Sequence, residues 1–281
     1  MTPTASTVRY LAADGFHSLA YLAWGERGAA PPVICVHGLT RNGRDFDRLA
    51  AALAARGRWV IAPDMPGRGL SDRLANPMLY GVPTYAAACA HLLAALGVET
   101  VDWVGTSMGG MIGMALAAMP GTPIRRFVLN DVGPHIPAAA LARIKAYVGA
   151  DPAFADLAAL EAHLRKVHAG FGPMTDEDWR HLAAISARQA DDGTIRLHYD
   201  PAIAAPMPEV ATDLDLWPMW QAITAPILLL RGAVSDLLLA ETAALMAARP
   251  GVTLHTVPGV GHVPALVDDE QIARVAAFLD A

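Results

Sequence analysis

Short runs of consecutive apolar residues recur along the chain: VICV at 33–36, WVIAP at 59–63, VDWVG at 101–105, RRFVLND at 125–131, PILLLRG at 226–232 and VTLHTV at 252–257. They are rich in β-branched residues and mostly lack polar alternation, so they read as strands buried on both faces. Between most of them the period lengthens to that of a helix, in DFDRLAAALAARG, TYAAACAHLLAALG, SMGGMIGMALAAMP and AETAALMAARP, with DEQIARVAAFLDA last. Such alternation predicts an α/β fold, a mostly parallel sheet with helices on both faces. Ahead of it, VRYLAA and SLAYLAW flank DGFH, and two apolar segments around Asp-Gly predict an antiparallel hairpin.

One interval breaks the alternation. Residues 134–224 carry helical periodicity, in PAAALARIKAYVG, LAALEAHLRKVHAGF and TDEDWRHLAAISARQA, without a strand of the core kind. A structureless loop of that length is implausible in a compact domain, so an inserted helical cap is expected at 134–224, with the α/β core formed by 1–133 and 225–281. An insertion beside the C-terminal strand ends would roof the crevice where open α/β sheets bind ligands.

Composition narrows the partners. The 281 residues are 54% hydrophobic and 17% charged, with a net charge of −6, which excludes a disordered chain. Lys and Arg are scattered without a basic block, so no nucleic acid partner is expected. The start MTPTASTVRY has no charged segment followed by an apolar one, and no apolar run reaches the roughly 18 residues that span a bilayer. No membrane association and a cytoplasmic location are expected. Cys35 and Cys89 sit in apolar runs as small buried side chains, and no disulfide between them is expected. The pattern says nothing of oligomeric state.

Chemistry concentrates at the ends of the strand runs. GTSMG fits G-x-S-x-G directly after a strand and before a helix, where a sharp turn holds a nucleophile and the helix N-terminus favours developing negative charge. Ser107 is therefore the candidate nucleophile. It needs a base, and of the ten histidines His262, on the loop GVGHVPAL after the last strand, is the one at the same sheet edge. Two carboxylates can orient it: Asp236 in RGAVSDLL, favoured because it gives the chain order Ser, Asp, His, and Asp131 in VLNDVGP, the alternative acid, otherwise a turn-forming residue. The backbone N–H groups of Leu39, after the strand VICV, and of Met108, next to the nucleophile, form the natural oxyanion pair. His37 is expected to brace that turn rather than act as a base. Phe171, Val263, Trp217 and Trp220 are candidate substrate-pocket residues, the two tryptophans because DLWPMW falls where the cap rejoins the sheet. Arg41 and Arg44 are expected to face solvent. No cluster has metal-ligand spacing and no dinucleotide fingerprint follows a strand, so neither metal nor cofactor is expected.

In this order and on these elements, HGLT, DMPGRGLSD, GTSMGG, RGAVSD and GVGH resemble the α/β-hydrolase superfamily over nearly the whole chain. The resemblance implies an eight-stranded, mostly parallel sheet, a lid over the active site, a Ser107, Asp236, His262 triad and a Leu39 and Met108 oxyanion hole. It also implies structural roles for Asp64, Gly67, Gly69 and Ser71. Members that displace halide or open epoxides carry aspartate at the nucleophile position, so Ser107 disfavours those reactions. The short HGLT, in place of a longer HGGG turn, disfavours large lipid substrates. A carboxylesterase-like serine hydrolase of small to medium esters or lactones is expected. The alternatives are carbon-carbon bond hydrolysis of aromatic ring-cleavage products, with Arg188 a candidate carboxylate ligand, and a ligand-binding member of the fold without turnover.

Overall fold

The computed structural model describes residues 2–209 and 212–281. In chain order the elements are β1 (Thr4–Ala12), β2 (Gly15–Trp24), β3 (Val33–Val36), α1 (Asp47–Ala55), β4 (Val60–Pro63), α2 (Val82–Ala95), β5 (Val101–Thr106), α3 (Met108–Ala117) and β6 (Ile124–Asn130). The insertion follows with β7 (His135–Ile136), α4 (Ala138–Lys145), α5 (Leu157–Val167), α6 (Asp176–Ser186), β8 (Ala187–Gln189), β9 (Ile195–Leu197) and β10 (Leu214–Asp215). The chain then forms α7 (Trp217–Ala222), β11 (Ile227–Gly232), α8 (Ala240–Ala247), β12 (Val252–Val257) and α9 (Asp269–Asp280). One eight-stranded sheet runs β1-β2-β4-β3-β5-β6-β11-β12. It is antiparallel only through β2, which pairs with β1 and β4, and parallel from β4 onward.

The uninterrupted apolar runs have a direct cause. Successive residues of a strand point to opposite faces, and here both faces meet a core. Ile34, Val36, Trp103, Phe127, Leu129, Ile227 and Leu229 face a cluster built with α2, α3, α8 and the insertion. Their neighbours Val33, Cys35, Val104, Val128, Leu228 and Leu230 face a second cluster built with α1 and α9. Cys35 and Cys89 are both buried and both free. No helix among the described residues is long and apolar enough to cross a membrane.

The insertion leaves and rejoins the core through the two-stranded ribbon β7–β10, tied by Leu216 N–H donating to Pro134 O at 2.6 Å. Its helices lie over the C-terminal end of the sheet, so that α6 closes on the turn following β3: Asn42 donates to Ile185 O at 2.6 Å and Arg41 to Ser186 Oγ at 2.7 Å. The segment DMPGRGLSD folds as a buttress under this edge. Asp64 accepts from the N–H groups of Gly43 at 2.7 Å and Leu70 at 2.8 Å, Ser71 donates to Asp64 O, and Gly67 and Gly69 take positive φ at 79° and 53°.

Candidate active site

Ser107 stands alone between β5 and α3 at φ 51°, ψ −113°, a left-handed conformation that costs energy for any residue with a side chain. Its backbone is held by donation to Asn130 O at 2.9 Å and by Gly110 N–H donating to its carbonyl at 2.8 Å. The flanking glycines have a steric reason. A side chain on Gly105 would strike the Gly109 carbonyl, and one on Gly109 the Val36 carbonyl. As the first residue of α3, Met108 has an amide with no acceptor inside the helix, aimed with the positive helix end toward the serine.

The structure joins Ser107 to His262 and Asp131. The imidazole Nε2 lies 3.0 Å from Ser107 Oγ, and Nδ1 lies 2.8 Å from Asp131 Oδ2. Asp131 directly follows β6, the strand between those carrying Ser107 and the Ser235 turn, and is fully buried at φ 55°. Its other acceptor positions are filled: Gly232 N–H donates to Oδ1 at 2.9 Å and Ser235 Oγ to Oδ2 at 2.7 Å. Asp236, the carboxylate the chain order favoured, is not at the imidazole. The turn after β11 sends Ser235 inward and Asp236 outward, where Arg143 of α4 grips it at 2.6 and 2.9 Å in an exposed ion pair.

On the other side of Ser107, His37 governs the peptide that offers Leu39 N–H. A carbonyl only accepts and an amide only donates, so Nδ1 donates to Gly38 O at 2.7 Å and Nε2 accepts from Met65 N–H at 2.9 Å. The ring is fully buried, and burial together with the Arg68 and Arg41 charges pushes its pKa down to about 3. It is a neutral brace. Because a trans peptide points its N–H opposite its C=O, anchoring Gly38 O sets the direction of Leu39 N–H. A methyl on Gly38 would stand 3.9 Å from Ser107 Cβ, so this peptide lies beside the nucleophile.

Arg68 is a participant that the sequence reading passed over. It is fully buried, donates from Nε to Leu39 O at 2.9 Å and from Nη1 to Pro66 O and Tyr85 Oη at 2.7 and 2.6 Å, and brings Nη2 to 3.7 Å from Met108 Sδ. It therefore touches both residues whose amides flank Ser107. Its plane sits against Tyr80 and Tyr85, at 5.0 Å from the Tyr85 ring centre. Among the described residues it has no carboxylate partner. The only sequence signal was an arginine inside an otherwise glycine- and proline-rich turn.

A cavity of about 700 Å3 opens over Ser107 and His262 beneath the insertion, within the size range of small-molecule sites. Leu39, Phe171 and Val263 line it, whereas Trp217 and Trp220 do not. The ribbon β7–β10 closes before them, so α7 packs with the sheet: Trp220 is buried in the core with Arg249 over its ring at 4.7 Å, and Trp217 packs on the same cluster. Arg41 is buried rather than solvated, held by Asp45 through Nε and Nη2, whereas Arg44 is exposed and pairs with Asp47. Arg188 lies outside the cavity, bound to Asp151 and Leu197 O. The insertion is also fastened to the His262 loop: Gly261 N–H donates to Gly170 O at 2.8 Å, and the two glycines meet closely enough that a methyl on Gly170 would come within 3.2 Å of His262 O. Among the described residues no three His, Cys, Asp or Glu side chains gather closely enough to hold a metal ion.

Comparison with known proteins agrees with this architecture. Residues 31–269 match the family described as the alpha/beta hydrolase fold. The chain is 45% identical to the 3-hydroxybutyrate-oligomer hydrolase of Cupriavidus necator, over 99% of this chain and 98% of that protein. It is 33% identical to the 2-(acetamidomethylene)succinate hydrolase of Mesorhizobium japonicum, over 91% and 90% of the two. A crystal structure of a putative hydrolase from Rickettsia typhi superposes with a TM-score of 0.92 at 31% identity, covering 100% of this chain and 99% of that one. With both sequence and backbone shared end to end, the chain belongs to the α/β-hydrolase family and is a hydrolase.

Proposed function

We propose that the chain hydrolyses carboxylic esters through an acyl-enzyme on Ser107, and that its substrates are short hydroxyacyl esters of the kind named in its 3-hydroxybutyrate-oligomer relative. The observation that carries this reading is the unbroken relay Ser107 Oγ, His262, Asp131, with both ring nitrogens at hydrogen-bond distance. His262 Nε2 takes the Ser107 proton as Oγ bonds to the ester carbonyl carbon, and the N–H groups of Leu39 and Met108 receive the resulting oxyanion. The carbon–oxygen bond to the alcohol then breaks and His262 returns the proton to the leaving oxygen. Water, deprotonated by the same imidazole, releases the acid. Asp131 keeps the proton of the resting ring on Nδ1, so that Nε2 is free to accept, and balances the imidazolium.

Hydrolysis of p-nitrophenyl butyrate and of a linear 3-hydroxybutyrate trimer tests the assignment. Ser107→Ala is expected to lose on the order of 10⁴ to 10⁶ in kcat, and Asp131→Asn about 10⁴, as in comparable triads. Asp236→Asn removes only an exposed ion pair and should stay within about threefold of wild type. Full activity in Ser107→Ala would end the acyl-enzyme reading, and the opposite ranking of the two aspartates would return the acid role to Asp236.

A further inference from the structure

Behind the main cavity lies a second chamber of about 270 Å3. The two share a wall made of Thr40, Arg41, Tyr147, Val167 and His168. His168 caps the C-terminus of α5, with its ring stacked on Phe171 at 4.4 Å, and is only 8% exposed. Among the described residues neither of its ring nitrogens has a hydrogen-bond partner, although it borders both spaces. Its ring nitrogens are not sealed from the cavity space, so a guest there can pair with them. Burial and the nearby Arg41 charge hold its pKa well below the usual histidine value, so it presents one N–H donor and one bare nitrogen.

Arg41 adds donors to the same shared wall. Its Nε and one Nη2 proton serve Asp45, and one Nη1 proton serves Ser186 Oγ, which leaves two of its five N–H groups without an acceptor among the described residues. Asp45 neutralises its charge. Among the described residues no carboxylate lines the chamber, whose remaining polar groups are His163, Tyr147, Tyr199 and Thr40. Donors without net charge suit a neutral carbonyl better than a carboxylate, and a space just below the range of drug-sized sites suits one short acyl unit.

We propose that this chamber is a subsite for the second ester unit of an oligoester, with His168 and Arg41 of the shared wall holding that unit's carbonyl. The proposal rests on the ester-hydrolase reading and extends it to chain length. It separates substrates with one ester group from those with two.

The probe is the methyl ester of the 3-hydroxybutyrate dimer, which carries two ester groups and no charge, compared with p-nitrophenyl butyrate, which carries one. Ala146 lines the chamber and not the main cavity, so Ala146→Trp should raise KM for the dimer ester about tenfold and leave p-nitrophenyl butyrate within about twofold. His168→Leu should raise the dimer KM at least tenfold more than that for p-nitrophenyl butyrate, with His168→Gln recovering most of the difference. Calorimetric titration of Ser107→Ala with the dimer ester reads the subsite without turnover, and adding His168→Leu should weaken binding about tenfold. Equal losses on both substrates, or none on either, overturn the chamber. Should Ser107→Ala bind the dimer ester through His168 while wild type cleaves neither ester, the chamber stands and the ester reading falls.

Discussion

His37 carries no charge, yet it sets the geometry beside Ser107, and its own titration makes that geometry depend on pH. Unfolded, the imidazole takes a proton near pH 6.5; folded, it does so only near pH 3. Between these values the unfolded chain binds more protons, so this contribution to stability is fully present above about pH 6.5 and drains away as pH falls toward 3, at roughly 1.4 kcal/mol per pH unit. Urea midpoints of wild type should therefore drop between about pH 7 and about pH 5 by more than those of His37→Asn, whose baseline is lower and whose slope is shallower. Equal slopes would remove His37 as the source. At this scale the meeting of Ser107 and His262 was legible, because a serine between glycines at a strand end and a histidine on the last loop are local patterns. The carboxylate beside the imidazole was not. Asp131 and Asp236 both follow strands, and only the turn geometry that buries Ser235 and exposes Asp236 separates them. Arg68 was hidden for a related reason: that it reaches Leu39 and Met108 depends on how three loops stack, which no spacing encodes.

Elements were readable wherever one rule dominated. Strands buried on both faces announce themselves as apolar runs, and the Asp-Gly hairpin does so as a turn; β1 and β2 pair from Thr4–Ala23 to Ala12–Gly15. What single-residue patterns could not give is how closely the elements approach. Helix α3 lies so near the sheet that a methyl on Gly113 would meet Trp103 Nε1 at 2.5 Å and the Phe127 ring at 2.7 Å. Gly113→Val should thus destabilise by about 1–3 kcal/mol through overpacking, in spite of its apolar character. Chemical denaturation checks this, and an unchanged midpoint would mean that α3 can lift without cost. The same blindness to packing misplaced α7. Its tryptophans sit at the sequence junction of cap and core, but the ribbon β7–β10 closes ahead of them and turns them into the core.

Across the whole molecule, a buried charge cluster ties the start of β5 to the C-terminal helix. Asp102, fully buried, accepts from Arg58 and from Arg125 at 2.9 and 2.7 Å, and both arginines also donate to Leu279 O. Asp102→Ala leaves the buried Arg58 only its longer contact to Asp280 at 3.4 Å and should cost about 3 kcal/mol in a urea titration. A loss under about 1 kcal/mol would mean that solvent reaches the guanidinium after all.

The contact of Gly170 with Gly261 acts at this scale too. It makes the turn at Gly170 and the His262 loop a single mechanical part, since neither backbone can withdraw without breaking the hydrogen bond that joins them. Elsewhere the insertion is attached by donations from Asn42 and Arg41 to α6 and by ion pairs, Arg48 with Asp178 and Arg143 with Asp236. Such pairs exchange readily with water and weaken with salt. Rising salt should therefore loosen the ionic margin of the insertion before the wall that carries His262.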